Sequence, residues 1–107
     1  MSLIYKILPR AEWETAVRAG VFLGSAIDVE DGFIHFSASD QWPETLQKHF
    51  AGQRDLLLVA VEATALGPQL KWELSRGGAL FPHLYGAMPT ALAVTVAPIP
   101  NPAGGAA

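Results

Sequence analysis

Two segments of this 107-residue chain gather side chains able to do acid–base or hydrogen-bonding chemistry. Gly78-Ala79-Leu80-Phe81-Pro82-His83-Leu84-Tyr85-Gly86 places an imidazole and a phenol among aromatic and apolar residues, between glycines. Upstream, Gly32-Phe33-Ile34-His35-Phe36-Ser37 presents an imidazole and a hydroxyl in a similar setting. Two of the chain's three histidines fall in these segments. Polar groups among aromatics are costly to bury unless they are hydrogen-bonded or used, so both segments mark the place to look for function.

Strand alternation puts Phe33, His35 and Ser37 on one face, with Ile34 and Phe36 on the other. His35 and Ser37 then form either a hydrogen-bonding pair lining a ligand cleft, or a core histidine followed by a helix-capping serine. An extended Phe81–Tyr85 puts Phe81, His83 and Tyr85 on a shared face, as a ligand wall or as an aromatic patch closing the core. Pro82 is expected to keep this segment off a central ladder. In Lys71-Trp72-Glu73, alternation sends Glu73 away from Leu70, Trp72 and Leu74, which are expected to face the core. Glu73 then becomes a general base or a ribose-hydroxyl acceptor if its face carries His35 or His83, and is otherwise a solvated carboxylate. His49, beside Lys48 at a predicted helix end, reads as a surface residue.

Other chemistries lack support. No i,i+4 histidine pair argues for a metal centre, so no metal is assigned. Ser37 lacks the Gly-x-Ser-x-Gly context of a nucleophile elbow, and no glycine-rich phosphate loop is present.

The elements that must position these residues follow from patterning. Leu3–Leu8 reads as a strand. Pro9 and Gly20 bracket a helix whose Trp13, Ala16 and Val17 recur at helical spacing. Val21–Gly32 has no clear period and reads as a loop. Phe33–Ser37 reads as one short strand, followed by a helix capped by Ser37 or Ser39, with Pro43 near its start and Leu46 and Phe50 facing the core. The continuous apolar run in Asp55–Ala63 suits a central strand covered on both faces. Gln69–Leu74 and Ala91–Ala97 supply further strands. Strand, helix, strand, helix and then several strands make an α+β domain over residues 1–97. Residues 98–107, rich in Pro, Gly and Ala, are expected to form a flexible tail.

Composition narrows the function classes. Seven basic and ten acidic residues give a net charge of −3, with no basic cluster, which argues against a nucleic-acid partner. Cysteine is absent, which removes disulfides and thiolate chemistry and fits a cytoplasmic setting. No apolar run approaches a bilayer span, and Met1–Lys6 does not read as a signal peptide.

Ile4-Tyr5-Lys6-Ile7, Glu12-Trp13, Ala19-Gly20, Asp31-Gly32-Phe33-Ile34-His35-Phe36-Ser37, Leu70-Lys71-Trp72-Glu73 and Phe81-Pro82-His83-Leu84-Tyr85-Gly86 together resemble a bacterial family, domain of unknown function 952. The resemblance covers residues 3 to 97. It implies an ADP-ribosylation-like fold, a compact split and mostly antiparallel β-structure with two flanking helices. That fold holds NAD in ADP-ribosyltransferases, where a strand-borne histidine followed by hydroxyl residues, like His35-Phe36-Ser37, contacts the nicotinamide ribose. RNA 2′-phosphotransferases of similar fold have a comparable segment but need phosphate-engaging arginines. Arg10, Arg18, Arg54 and Arg76 lie outside the motifs, which argues against that RNA activity.

The resemblance thus implies a small-molecule partner and names NAD as the candidate cofactor, with His35, Ser37, His83 and Tyr85 binding the ligand. His35 and Glu73 are the candidate catalytic residues, Glu73 stabilising an oxocarbenium-like centre. The alternative is a non-catalytic module using the same cleft for a nucleotide-like ligand.

Overall fold

The computed structural model describes residues 2–100, and of Arg76 the backbone alone. The chain runs β1 (Leu3–Pro9), α1 (Arg10–Ala19), β2 (Val21–Phe22), α2 (Ala26–Asp31), β3 (Ile34–His35), β4 (Ser37–Ala38), α3 (Trp42–His49), β5 (Leu56–Glu62), β6 (Leu70–Leu74), β7 (Leu80–Leu84), β8 (Met88–Pro89) and β9 (Ala93–Pro98). Short 3-10 turns at Ala63–Gln69, Arg76–Gly78 and Thr90–Leu92 link the later strands. The strands form three antiparallel sheets in the orders β4-β1-β5-β9, β3-β7-β6 and β2-β8, an α+β architecture.

The apolar run of β5 does what a doubly covered strand should. It pairs with β1 from Pro9 to Leu3 and with β9 on its other edge, and Leu56, Leu57, Val59, Ala60 and Val61 are all buried. On β1, alternation directs Ile4 and Leu8 into the core that Trp13, Phe22, Ile34, Phe36, Leu84 and Met88 complete. α1 starts directly after Pro9 and ends at Gly20, whose φ of 83° is the left-handed cap conformation. Of the three apolar residues expected to anchor it, Trp13 and Ala16 are buried and Val17 is exposed.

Several expectations are corrected. The stretch 21–32 is not a loop. It holds β2 and α2, so among the described residues three α-helices flank the sheets instead of two. α2 is started by a capping box between Ser25 and Asp28, a local signal strong enough to form six helical residues without apolar periodicity. Residues 33–37 are not one strand, because the chain changes sheets at Phe36. Phe36 N–H donates to Pro82 O at 3.0 Å, and the reciprocal bond would need an N–H that Pro82 lacks. The β3–β7 ladder therefore stops there, and Ser37 pairs with Tyr5 of β1. Pro82 consequently sits on the middle strand of its sheet, contrary to expectation, beside a partner only two residues long.

Neither Ser37 nor Ser39 caps α3. Gln41 occupies that position, with its Oε1 accepting from Ala38 N–H at 2.9 Å and Pro43 in the first turn. Leu46 and Phe50 are half-buried, short of the core position expected of them. Trp72 is 44% exposed and Leu74 71% exposed, so the Leu70-Trp72-Leu74 face of β6 is largely outward. Of the three, Leu70 packs on the core, and β6 is the edge of a three-stranded sheet. The globular strand also outlasts residue 97. Pro98 pairs with Leu57, and Ile99 N–H donates to Leu56 O at 2.9 Å. Residues 101–107 of the expected tail lie outside the described residues.

Candidate functional site

The site begins with a lysine in the wrong place. Alternation puts Lys6 on the core-facing side of β1, between Ile4 and Leu8, and it is only 6% exposed. A buried ammonium needs a counter-charge, and α2 supplies Asp28, itself 1% exposed. Lys6 Nζ donates to Asp28 Oδ1 at 3.0 Å and to Oδ2 at 2.8 Å. Ser25 N–H adds a bond to Oδ2 at 2.8 Å, and His35 N–H one to Oδ1 at 3.1 Å. His35 Nδ1 then lies 2.6 Å from Oδ1. A Cβ at Gly24, where φ is +114°, would sit 2.8 Å from that of Asp28, so only glycine lets the chain pass this close. Burial alone would raise the Asp28 carboxyl, but the His35 bond, the Lys6 ammonium and the Ser25 N–H together bring it down to about 2. Burial lowers the Lys6 ammonium, and the Asp28 charge and hydrogen bonds offset part of that.

His35 is thereby held by a buried carboxylate, and its Nε2 meets a second one, Asp31 Oδ2, at 3.0 Å. Directly across the β3–β7 ladder stands His83, 5% exposed. Its Nδ1 lies 2.8 Å from Glu73 Oε1, which also accepts the Tyr85 hydroxyl at 2.7 Å. The Tyr85 bond first, and the His83 bond second, hold the Glu73 carboxyl below its ordinary value, and the same carboxylate raises the Tyr85 phenol. Phe33 ties the two dyads together. Its ring stacks on His83 at 4.1 Å between centroids and lies 4.5 Å from His35 and 5.3 Å from Tyr85.

Both histidines border a cleft of about 580 Å³, a size typical of small-molecule sites. Its walls come from β1, α2, α3 and the β6–β7 hairpin, with Tyr5, Ile7, Phe36, Phe50 and Phe81 as apolar lining. Beyond Tyr5, that edge of β1 has no partner strand among the described residues, because β4 reaches only Ile4 and Tyr5. Ser37 also lines the cleft, and its Oγ lies 3.0 Å from Thr45 Oγ1 of α3. His49 is exposed as expected, yet it also lines the cleft from α3, so all three histidines border one cavity.

Of the residues singled out from the sequence, His35, Ser37 and His83 therefore share the cleft. Glu73 and Tyr85 join them only through His83 and do not border the cavity. Lys6, Asp28 and Asp31 were missed. The signals that carry them are a lysine on the apolar face of a strand and the Ser25-x-x-Asp28 capping pattern. Among the described residues, no group of three or more His, Asp or Glu side chains is placed to hold a metal ion. No helix among them is long and apolar enough to cross a membrane.

The family model described as "Protein of unknown function (DUF952)" matches residues 7–96. The chain belongs to that family. Both histidine–carboxylate pairs lie within the matched span, and Lys6 lies one residue before it. A crystal structure of protein CC0527 from Caulobacter crescentus is similar throughout. It is 55% identical, with 92% of this chain and 87% of that chain covered at a TM-score of 0.91. The solution NMR structure of CC0527 is 57% identical over 91% of this chain and 84% of that one, with a TM-score of 0.81. No curated protein matches the chain.

Proposed function

We propose that this DUF952 domain binds a ribose-bearing small molecule of the NAD and ADP-ribose class in the cleft between β1, α3 and the β6–β7 hairpin. The observation that carries the reading is the pairing of His35 with His83 across β3 and β7, each oriented by a carboxylate and both on one cavity wall. Histidines anchored in this way are costly to maintain unless their position is used. The separation of the strands into a four-stranded and a three-stranded antiparallel sheet, flanked by helices, supports an ADP-ribosylation-like frame.

Catalysis at a ribose carbon requires a carboxylate beside it to stabilise positive charge. Glu73 is occupied by His83 and Tyr85 away from the cleft, so it serves as a positioning residue. Asp31 is the carboxylate on the wall next to His35. The placement of Glu73 favours the second reading, a binding module without transferase chemistry.

Titration of the 15N-labelled domain with NAD and with ADP-ribose separates these readings from a purely structural site. Binding near millimolar, about −4 kcal/mol, is expected, since Lys6 is committed to Asp28 and no glycine-rich loop cradles the phosphates. Amides at His35, Ser37 and His83 should move first. Saturating nucleotide that moves none of them rejects the reading. Nicotinamide release from NAD, followed by chromatography, distinguishes the enzyme from the binding module.

A further inference from the structure

The free edge of the three-stranded sheet carries a self-complementary sequence. β6 has β7 on one side, and no strand among the described residues pairs with its other side. Tyr85 N–H donates to Gln69 O and Ser75 N–H to Ala79 O, both at 2.9 Å, at the two ends of the β6–β7 ladder. Antiparallel bonding alternates along a strand, so the odd-numbered residues of β6 turn their backbone groups to β7. Leu70, Trp72 and Leu74 therefore turn their N–H and C=O groups outward along the edge. Neither a proline nor a register shift interrupts these residues, two devices that commonly blunt an edge. The edge strand of the four-stranded sheet, β9, has both, in Pro98 and in the shift at Ala60/Val61.

The side chains match as well. Leu70-Lys71-Trp72-Glu73-Leu74 is symmetric about Trp72 in its apolar positions and opposite in charge at the two between them. Laid antiparallel on a second copy, with Trp72 facing the partner's Trp72, Leu70 meets the partner's Leu74 and Lys71 meets the partner's Glu73. The pairs centred on Leu70, Trp72 and Leu74 exchange backbone hydrogen bonds. The Lys–Glu pairs fall at the positions between, where facing side chains are closest. Centring the pairing on Lys71 or Glu73 sets like charges face to face, and a parallel in-register pairing does so at both, so the charges select one register. Its outer face gathers side chains now exposed: Trp72 at 44%, Leu74 at 71% and Leu80, opposite Leu74 on β7, at 50%. We propose that the domain forms a two-fold dimer by antiparallel β6–β6 pairing centred on Trp72, which joins two three-stranded sheets into one. So short an edge buries less than the roughly 1,200 Å² of standard interfaces, so the dimer is weak, with a Kd of about 0.1 mM. The partner's Lys71 stands beside Glu73, the carboxylate that holds His83 Nδ1 and the Tyr85 hydroxyl, so association reaches the cleft wall. The inference does not depend on what the cleft binds.

Sedimentation velocity of the full chain, from about 10 µM to about 1 mM, is expected to show a monomer–dimer equilibrium. Over the same range, amide exchange in the wild-type chain should slow at least about five-fold at Leu70, Trp72 and Leu74, and change less at Lys71 and Glu73. That pattern requires no variant to fold. Lys71→Glu sets carboxylates opposite carboxylates and should weaken association at least about ten-fold, and Glu73→Lys should do the same with ammonium groups. An equimolar mixture of the two variants restores opposite charges at both flanking pairs and should associate about as tightly as the wild type. A chain still monomeric at about 1 mM overturns the proposal. So does a dimer that Lys71→Glu leaves intact, or one that protects none of the three edge amides, since either puts the contact elsewhere. Two folded variants that fail to associate on mixing overturn it too.

Discussion

Asp28→Asn removes the carboxylate on which Lys6, Ser25 and His35 converge, so its cost measures how firmly the site is built into the fold. The native carboxyl titrates at about 2 against an ordinary 3.8, a difference that corresponds to about 2 kcal/mol of stability. Because the folded value is the depressed one, that contribution is complete above about pH 4 and disappears as pH falls towards 2. The amide also leaves the Lys6 ammonium buried without its counter-charge, and breaking a buried pair from one side costs about 3–5 kcal/mol. The two figures describe overlapping interactions, so the expected loss at pH 7 is about 3–5 kcal/mol, and a fall in Tm of roughly 15 °C or more. Lys6→Met should cost less, since Asp28 keeps its bonds from Ser25 N–H, His35 N–H and the His35 ring. Urea unfolding followed by tryptophan fluorescence, repeated from pH 7 to pH 2.5, reads both effects. The gap between wild type and Asp28→Asn should narrow by about 2 kcal/mol as pH drops through the window from 4 to 2. Above neutrality the variant should gain stability with rising pH, because its unfolded state binds a proton on Lys6 that the folded state resists. A variant within about 1 kcal/mol of wild type at pH 7, or a gap indifferent to acid, would show that the network does not hold the fold.

Two further outcomes test the packing. Trp72→Ala should cost under about 1 kcal/mol because the ring is 44% exposed, whereas Phe36→Ala, 2% exposed where the chain changes sheets, should cost about 3–5 kcal/mol by the same urea assay. Deleting Pro100–Ala107 should shift Tm by no more than about 2 °C, as that segment carries no large apolar side chain. Extending the deletion to Pro98 should lower Tm clearly, because it also removes the Leu57 pairing and the Ile99 bond to Leu56.

How much of this was legible in the sequence depends on where each signal resides. β1, α1 and β5 were readable because their evidence is local: an apolar run, or a helical repeat between Pro9 and Gly20. The strand 33–37 misled because its alternation is genuine while its pairing is not continuous. What divides it is the missing N–H of Pro82, forty-six residues away. Trp72 misled for a related reason. Alternation separates two faces of a strand but cannot say which is covered, and on an edge strand the apolar face can be left outward.

The site divides along the same line. His35, Ser37 and His83, which the cleft brings together, stood out because rare polar residues stand among aromatics within a few positions of one another. Glu73 stood out too, but its placement depends on which face of β6 meets His83, and that is set by the register of Glu73 with Phe81. Asp28 and Lys6 escaped notice because each looks ordinary alone: a carboxylate near a turn, a lysine in a strand. Their importance comes from burial, which turns Lys6 from an exception in an apolar strand into a charge that must be matched. An alternation argument carried one step further would have asked what neutralises a lysine between Ile4 and Leu8. The answer, an acidic residue at the third position of a capping box, sits where it can also grip the histidine seven residues later. Asp28 therefore serves both fold stability and the hold on His35 Nδ1, which Asp31 supplements at Nε2, so a substitution at Asp28 is expected to disturb both together.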